Sequence, residues 1–101
     1  MNSLINRNIK EIYNLCIQYK VKKLWVFGSA LDDNLFGPDS DLDFLYESDD
    51  ENMTDREYVD CPLLLKKNLE KLLKRSVDLI PNKEFENPFL RKSILANRYL
   101  I

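Results

Sequence analysis

Histidine is absent from this chain of 101 residues. Its absence excludes the commonest zinc ligand, the commonest general base, and every Ser-His or Cys-His dyad. Carboxylates, by contrast, are plentiful, with 17 Asp and Glu residues. If the protein is an enzyme, its carboxylates must carry the chemistry.

Long apolar runs and paired cysteines are missing as well. No stretch approaches the roughly 18 consecutive apolar residues of a membrane-spanning helix, and the N terminus has no basic segment followed by an apolar one. Cys16 and Cys61 are far apart and belong to no C-x-x-C pair. We therefore expect a cytoplasmic protein without a membrane segment, whose two cysteines are reduced.

The charge balance argues against a nucleic-acid ligand. The formal net charge is −2, and the Lys and Arg residues are spread among acids, so the broad positive field of a general nucleic-acid binder is missing. The composition, with 45% apolar and 32% charged residues, is that of a folded globular chain. The length suits one compact core, and we expect a single domain over residues 1–101.

Apolar periodicity and turn residues divide the chain into alternating helices and strands. The predicted helices cover Leu4–Tyr19, Pro62–Lys74 and the residues after Asn87; the predicted strands cover Val21–Phe27, Asp41–Tyr46 and Val77–Ile80; residues 29–40 form a turn and loop, and residues 47–57 an acidic surface loop. This order predicts an α/β fold in which helices cover a small sheet. The helix between the second and third strands permits a parallel crossover.

Two carboxylates share one face of the second predicted strand. Asp41 and Asp43 are two residues apart, so their side chains project to the same side, at a spacing of roughly 6 to 7 Å. Oxygen ligands without His or Cys favour Mg²⁺ or Mn²⁺ over zinc. The alternative interpretation is a strand whose polar face only meets water.

Two other features could belong to the same site. Gly28 and Ser29 directly follow a strand, where backbone N–H groups and a hydroxyl can approach a phosphate. Taken alone, the pair is more often a glycine that ends a strand and a serine that caps a helix. Asp78 interrupts an apolar strand. It is either a third metal ligand or a residue that points to solvent from an edge strand.

Taken together, these segments resemble the signature of the polymerase β-like nucleotidyltransferase superfamily, and within it the minimal (MNT) branch of the MntA antitoxin type. The matching segments are Gly28-Ser29, Ser40-Asp41-Leu42-Asp43-Phe44 and Val77-Asp78-Leu79-Ile80. The resemblance covers nearly the whole chain. It implies the polymerase β-like fold, an α+β arrangement with a small mixed sheet of three to four strands packed with helices.

The resemblance also implies a role for each matching residue. Gly28 and Ser29 would hold the β and γ phosphates of ATP, the substrate. Asp41, Asp43 and Asp78 would be the catalytic carboxylates that bind two Mg²⁺ ions, with Asp78 near the attacking hydroxyl. One departure concerns the arginine-containing segment that follows the Gly-Ser pair in many members. Here Ala30 and Leu31 stand in those places, so another Lys or Arg, or a partner, would have to supply a cation.

The implied function is magnesium-dependent transfer of a nucleoside monophosphate, AMP from ATP, to a hydroxyl of a partner protein. Members of this branch are often paired with a HEPN-domain protein in a toxin–antitoxin system, so a HEPN-type partner is expected. Two alternatives remain: a catalytically weak antitoxin that acts as a binding module, and a small-molecule transferase of the aminoglycoside-modifying kind.

The remaining conspicuous residues have simpler interpretations. We expect Trp25 and Phe27 to pack in the core rather than stack on a base. The basic stripe on the second long helix is typical of a solvated face. A contact between subunits of a homo-oligomer could include Phe89, Leu90, Leu100 and Ile101, since a small sheet can leave apolar surface uncovered.

Overall fold

The computed structural model describes residues 3–27, 41–82 and 99–101. Gly28, Ser29, Ala30 and Leu31 lie outside the described residues, as does the predicted terminal helix after Asn87. The described elements are the helices α1 (Ser3–Arg7), α2 (Ile9–Gln18) and α3 (Asp55–Leu73), a 3-10 turn (Asp50–Asn52), and the strands β1 (Val21–Phe27), β2 (Leu42–Ser48), β3 (Val77–Pro81) and β4 (Tyr99–Leu100).

The four strands form one mixed sheet in the order β3-β2-β1-β4. Strand β1 is antiparallel to both β2 and β4, whereas β2 and β3 are parallel. The parallel pair requires a crossover connection, and α3 provides it. The predicted fold class, a small mixed sheet of three to four strands packed with helices, is confirmed.

The predicted N-terminal helix is broken at Asn8. The Asn8 side-chain amide donates a hydrogen bond to the Leu4 carbonyl at 2.8 Å, and its backbone N–H donates to the Ile5 carbonyl at 3.1 Å. Asparagine competes in this way for backbone groups that a continuous helix would use. The apolar periodicity still predicted the inner face correctly, since Ile5 and Ile12 are fully buried.

Helix α3 begins seven residues earlier than Pro62, so the prediction of a loop over residues 47–57 was wrong at that end. A capping box starts the helix: the Thr54 hydroxyl accepts from the Glu57 N–H at 3.1 Å, and the Glu57 carboxylate accepts from the Thr54 N–H at 3.0 Å. These two bonds satisfy donors that a helix start leaves unpaired. Pro62 therefore lies inside the helix. At the other end of the predicted loop, β2 continues to Ser48.

The main core lies between the helices and one face of the sheet. On that face the sheet contributes Leu24, Val26, Leu42, Phe44 and Val77, and α3 contributes Leu65, Leu69 and Leu73, all of which are buried. Both cysteines are free thiols. Burial raises the pKa of Cys16 to about 11 and also raises the pKa of Cys61. Their burial fits a structural role, and their reduced state stays a prediction.

A second, smaller apolar cluster lies on the other face of the sheet. Trp25 and Leu45 stand opposite each other on β1 and β2 and are both buried, with Phe27 and Ile80 packed against them. The expectation that Trp25 packs in the core is confirmed. None of the helices in the described parts of the chain has both the length and the apolar character that crossing a membrane requires.

Candidate active site

The parallel register of β2 and β3 determines where the candidate acids lie. Asp43 is paired directly with Asp78, and paired residues of neighbouring strands project their side chains to the same face. Asp41 precedes the first residue of β2 and is two residues from Asp43. The Leu42 N–H donates to the Ser76 carbonyl at 3.0 Å and fixes the two strand entries side by side. The structure therefore brings all three predicted acids to one end of the sheet, where β2 and β3 begin.

The C-terminal end of β1 lies at the same end of the sheet, because β1 is antiparallel to β2. Phe27, its last residue, is paired with Asp43 in the antiparallel register. Gly28 follows Phe27 in the sequence, so the chain leaves β1 beside the acids. Because Gly28 and Ser29 lie outside the described residues, their phosphate-binding role stays a prediction.

The electrostatics show that the acids interact. Burial raises the pKa of Asp43 to about 6, and repulsion from Asp78 and then from Asp41 adds to this effect. A hydrogen bond between the Asp43 and Asp78 carboxyl groups also favours the protonated form. Asp43 is half-buried, whereas Asp41 and Asp78 are exposed. Asp43 therefore interacts with both of the other acids.

An apolar row lies next to the acids on the same sheet face. It consists of Trp25, Leu45 and Ile80, which are cross-strand neighbours one alternation further along β1, β2 and β3. Apolar surroundings disfavour a charged carboxylate, so this row accounts for the desolvation of Asp43. Sequence reasoning missed the row, because it treated the face of β2 that carries Asp41 and Asp43 as polar. The signal was Leu45, which shares its face with Asp41 and Asp43.

The donor set fits a hard divalent cation. The three acids offer only oxygen atoms, and a cation placed among them would replace the proton that Asp43 and Asp78 share. Among residues 3–27, 41–82 and 99–101, no three acidic or sulfur side chains are already gathered tightly enough to hold a metal ion. Metal binding by the three acids would therefore require their side chains to move closer together.

Comparisons with known proteins agree with this geometry. A family model for the nucleotidyltransferase domain matches residues 7–101. A protein of Methanocaldococcus jannaschii, described as a candidate protein adenylyltransferase, is 38% identical over 78 residues, which cover 76% of this chain and 73% of that protein.

Solved structures share the fold. One, described as a candidate minimal nucleotidyltransferase, is 26% identical, has a TM-score of 0.68 and covers 98% of this chain and 95% of its own. A toxin–antitoxin structure with AMP-PNP has a TM-score of 0.67 at 19% identity, covering 92% and 71% of the two chains. The MntA–HepT toxin–antitoxin structure has a TM-score of 0.61 at 18% identity, covering 94% and 69%. The family resemblance inferred from the motifs is confirmed.

Proposed function

The chain belongs to the nucleotidyltransferase domain family, and on this basis we propose that it is a magnesium-dependent enzyme that transfers AMP from ATP to a hydroxyl group of a partner protein. The observation that carries the proposal is the strand register that sets Asp43 beside Asp78, two residues after Asp41. The description of the Methanocaldococcus relative as a candidate protein adenylyltransferase supports a protein acceptor. We further propose that residues 1–101 act as one domain in the cytoplasm, where ATP is available.

Asp41, Asp43 and Asp78 are the residues that we propose to hold two Mg²⁺ ions. Their donor atoms are all oxygens, which Mg²⁺ prefers. Burial and the negative charges of Asp78 and Asp41 raise the pKa of Asp43, and a bound cation would offset that repulsion. Bound ions supply a lower pKa for the acceptor hydroxyl and compensation for the charge of the triphosphate. Uncompensated, the three acids would repel ATP.

Asp78, Gly28 and Ser29 have the remaining proposed roles in the reaction. The acceptor oxygen attacks the α-phosphorus of ATP, the bond between the α and β phosphates breaks, and pyrophosphate leaves. Asp78 is exposed on β3, at the end of the strand order, where a side chain of a separate protein can reach it. Its carboxylate would receive the hydroxyl proton. Gly28 and Ser29 would hold the β and γ phosphates.

One phosphate-binding cation has to come from elsewhere. Ala30 and Leu31 occupy the positions where many members of the superfamily have an arginine-containing segment. We propose that another Lys or Arg of this chain, or one from the partner, replaces it. This arrangement would make transfer depend on the partner in two ways, because the partner would provide both the acceptor and a positive charge.

Transfer of a label from ATP tests the proposal directly. The protein is incubated with Mg²⁺, ATP labelled at the α phosphate, and the protein encoded beside it. The expected result is a labelled partner. Asp43→Asn and Asp78→Asn should each abolish labelling, whereas Glu51→Gln, which changes an exposed acid on the 3-10 turn beyond the other end of β2, should not. Full labelling by both Asn variants would refute the proposed metal site.

A HEPN-domain toxin is the partner that we propose. The fold is shared with solved toxin–antitoxin structures, one of which contains AMP-PNP. Addition of AMP to a tyrosine or serine of such a toxin would inactivate it. Mass spectrometry of the co-purified partner should then show one added AMP group. Neutralisation of the toxin without any mass change would contradict this mechanism.

Two observations favour a binding module as the rival function. Ala30 and Leu31 replace the arginine-containing segment, and in the described residues the acids are not gathered into a three-ligand cluster. An antitoxin of this kind would block the toxin by covering it. The Asp43→Asn Asp78→Asn double variant separates the two functions: it should lose neutralisation if transfer is required and retain it if binding suffices.

Labelling of an added aminoglycoside in place of a protein would identify the small-molecule alternative.

A further inference from the structure

The connection between α3 and β3 lies at the same end of the sheet as the three acids. Helix α3 ends at Leu73 and β3 begins at Val77, so only residues 74–76 join them. Because β2 and β3 are parallel and begin side by side, this connection lies next to Asp41, the residue before β2. We call Lys74, Arg75 and Ser76 the α3–β3 turn.

Three hydrogen bonds hold the backbone of the α3–β3 turn. The Lys74 N–H donates to the Glu70 carbonyl at 2.9 Å, and the Val77 N–H donates to the Glu70 carboxylate at 3.2 Å. The Leu42 N–H donates to the Ser76 carbonyl at 3.0 Å and joins the turn to β2. The backbone is therefore held on both sides of the central residue of the turn.

The conformation of Lys74 makes the turn tight. Its backbone is left-handed, with φ 55° and ψ 41°, a region that residues other than glycine occupy only at some cost in energy. A left-handed residue at this position ends the helix and redirects the chain. The strand can then begin three residues later, and this short connection fixes the position of Arg75 relative to β2.

Arg75 lies within reach of Asp41. The register of Leu42 with Val77, extended by one residue, places Asp41 beside Ser76. Neighbouring strands are about 4.8 Å apart, and Arg75 precedes Ser76 by one Cα–Cα step of about 3.8 Å, so the Cα atoms of Arg75 and Asp41 are about 6 Å apart. An arginine side chain is long enough to span that distance and reach the end of the sheet where the acids lie.

Burial distinguishes Arg75 from the other cations at this end of α3. Arg75 is half-buried, whereas Lys71 and Lys74 are exposed. Basic residues at the end of a helix complement its macrodipole, and Lys71 and Lys74 are sufficient for that role. Partial burial restricts the rotamers of a long side chain, so Arg75 loses less conformational entropy when it binds an anion.

The charge distribution along α3 also favours an anion at this end. The C-terminal half of the helix carries three lysines and one acid, whereas the N-terminal half carries three acids and one arginine. The acid of the C-terminal half, Glu70, accepts the hydrogen bond from the Val77 N–H. The positive end of α3 is the end that lies next to the candidate active site, where it would attract a triphosphate.

We propose that Arg75 binds the β or γ phosphate of ATP and replaces the cation that is missing at Ala30 and Leu31. The inference rests on the proposed function, because ATP must bind beside the three acids. A planar guanidinium can donate two parallel hydrogen bonds to phosphate oxygens. With this cation supplied by the chain itself, the partner would have to provide only the acceptor hydroxyl.

Binding of AMP-CPP tests the role of Arg75 without measuring transfer. AMP-CPP is an ATP analogue whose methylene bridge between the α and β phosphates prevents transfer, and its affinity in the presence of Mg²⁺ is measured by isothermal titration calorimetry. Arg75→Gln should weaken binding by about 10- to 100-fold, the loss expected for a charged hydrogen-bonded pair. AMP, which has no β or γ phosphate, should bind the wild type and Arg75→Gln equally weakly.

Two further variants separate a specific contact from a general field. Arg75→Lys keeps the charge but loses the paired donors, so its affinity for AMP-CPP should lie between those of the wild type and Arg75→Gln. Lys67→Gln removes an exposed lysine two turns before the end of α3 and should change the affinity by less than about twofold, because salt screens distant charges. A loss in Lys67→Gln as large as that in Arg75→Gln would overturn the specific contact.

The outcomes distinguish this inference from the proposed function. Equal affinity of the wild type and Arg75→Gln for AMP-CPP would overturn the role of Arg75 and leave the proposed function intact. A wild type that binds no AMP-CPP with Mg²⁺ would overturn both. Urea unfolding shows whether Arg75→Gln is folded. If it is not, Arg75→Lys decides, because wild-type affinity in that variant would contradict binding through paired donors.

Discussion

Replacing Asp43 with asparagine is expected to stabilise the metal-free protein at neutral pH. Asp43 is the carboxyl group whose pKa is raised to about 6, by burial first and then by the charges of Asp78 and Asp41. Its ionised form is therefore disfavoured in the folded state. Asparagine has nearly the same shape, carries no charge, and can donate a hydrogen bond to Asp78 as the protonated acid does.

The magnitude follows from the difference between the folded and ordinary pKa values. The ordinary value is 3.8 and the folded one about 6, and at about 1.4 kcal/mol for each pKa unit the difference corresponds to about 3 kcal/mol. Asp43 is only half-buried, so solvent screening reduces this upper value, and we expect a gain of about 1 to 2 kcal/mol. In urea, that gain moves the unfolding midpoint by about 1 M.

The pH dependence has a definite sign. Because the folded pKa lies above the unfolded one, the folded state holds the proton more tightly. The contribution of Asp43 to stability is complete below about pH 4 and is lost as the pH rises to about 6. The difference between wild type and Asp43→Asn should thus be small at pH 4 and fully developed at pH 7.5.

Urea unfolding in EDTA at pH 4, 5.5 and 7.5 measures this difference at constant ionic strength. Glu51→Gln is the control, since it removes an exposed acid and should change the free energy of unfolding by less than about 0.5 kcal/mol at every pH. An Asp43→Asn variant that is no more stable than wild type at pH 7.5 would refute the inferred repulsion among the three acids. So would a gain that is equal at pH 4 and pH 7.5.

Magnesium and two helix substitutions test other parts of the structure. Thermal unfolding measured by circular dichroism at pH 7.5 tests the metal site: millimolar Mg²⁺ should raise the Tm of the wild type by a few degrees and leave the Tm of Asp43→Asn unchanged. An equal rise of Tm in both proteins would place the ion elsewhere. Thr54→Ala should cost about 1 kcal/mol in urea unfolding, because the Glu57 N–H loses its acceptor, and Thr54→Ser should recover most of that loss. Leu65→Ala should cost about 3 kcal/mol in the same assay, whereas Leu63→Ala should cost less than about 0.5 kcal/mol in dilute protein; similar losses would contradict their opposite positions on α3.

The face on which each acid lies could be predicted from the sequence, because strand side chains alternate with a period of two. Leu42 and Phe44 are fully buried, and Asp43 between them points the other way. The residue of β3 that stands opposite Asp43 could not be derived from alternation. That register is fixed by the packing of α3 against the sheet and by the hydrogen bond from the Leu42 N–H to the Ser76 carbonyl. Only the resemblance to a family predicted that Asp78 joins Asp41 and Asp43 in one site.

Some elements escaped prediction because their signals are short. The two residues of β4 are too few to show any periodicity, and β4 is defined by its antiparallel pairing with β1. The break at Asn8 depends on one side chain that bonds to the Leu4 carbonyl. The early start of α3 was readable in principle, since Thr54 and Glu57 have the spacing of a capping box. The many acids around them outweighed that signal.

The opposition between stability and chemistry at Asp43 distinguishes a binding site from a polar strand face. On a face that only meets water, neighbouring carboxylates turn apart into solvent, and replacing one with asparagine changes little. Here the pairing of β2 with β3 holds Asp43 beside Asp78, and the apolar row of Trp25, Leu45 and Ile80 limits solvation. The backbone therefore maintains a repulsion that the fold does not need and that a cation would remove. A variant that gains stability without metal and loses the response to Mg²⁺ would show that the same carboxylate is the source of both effects.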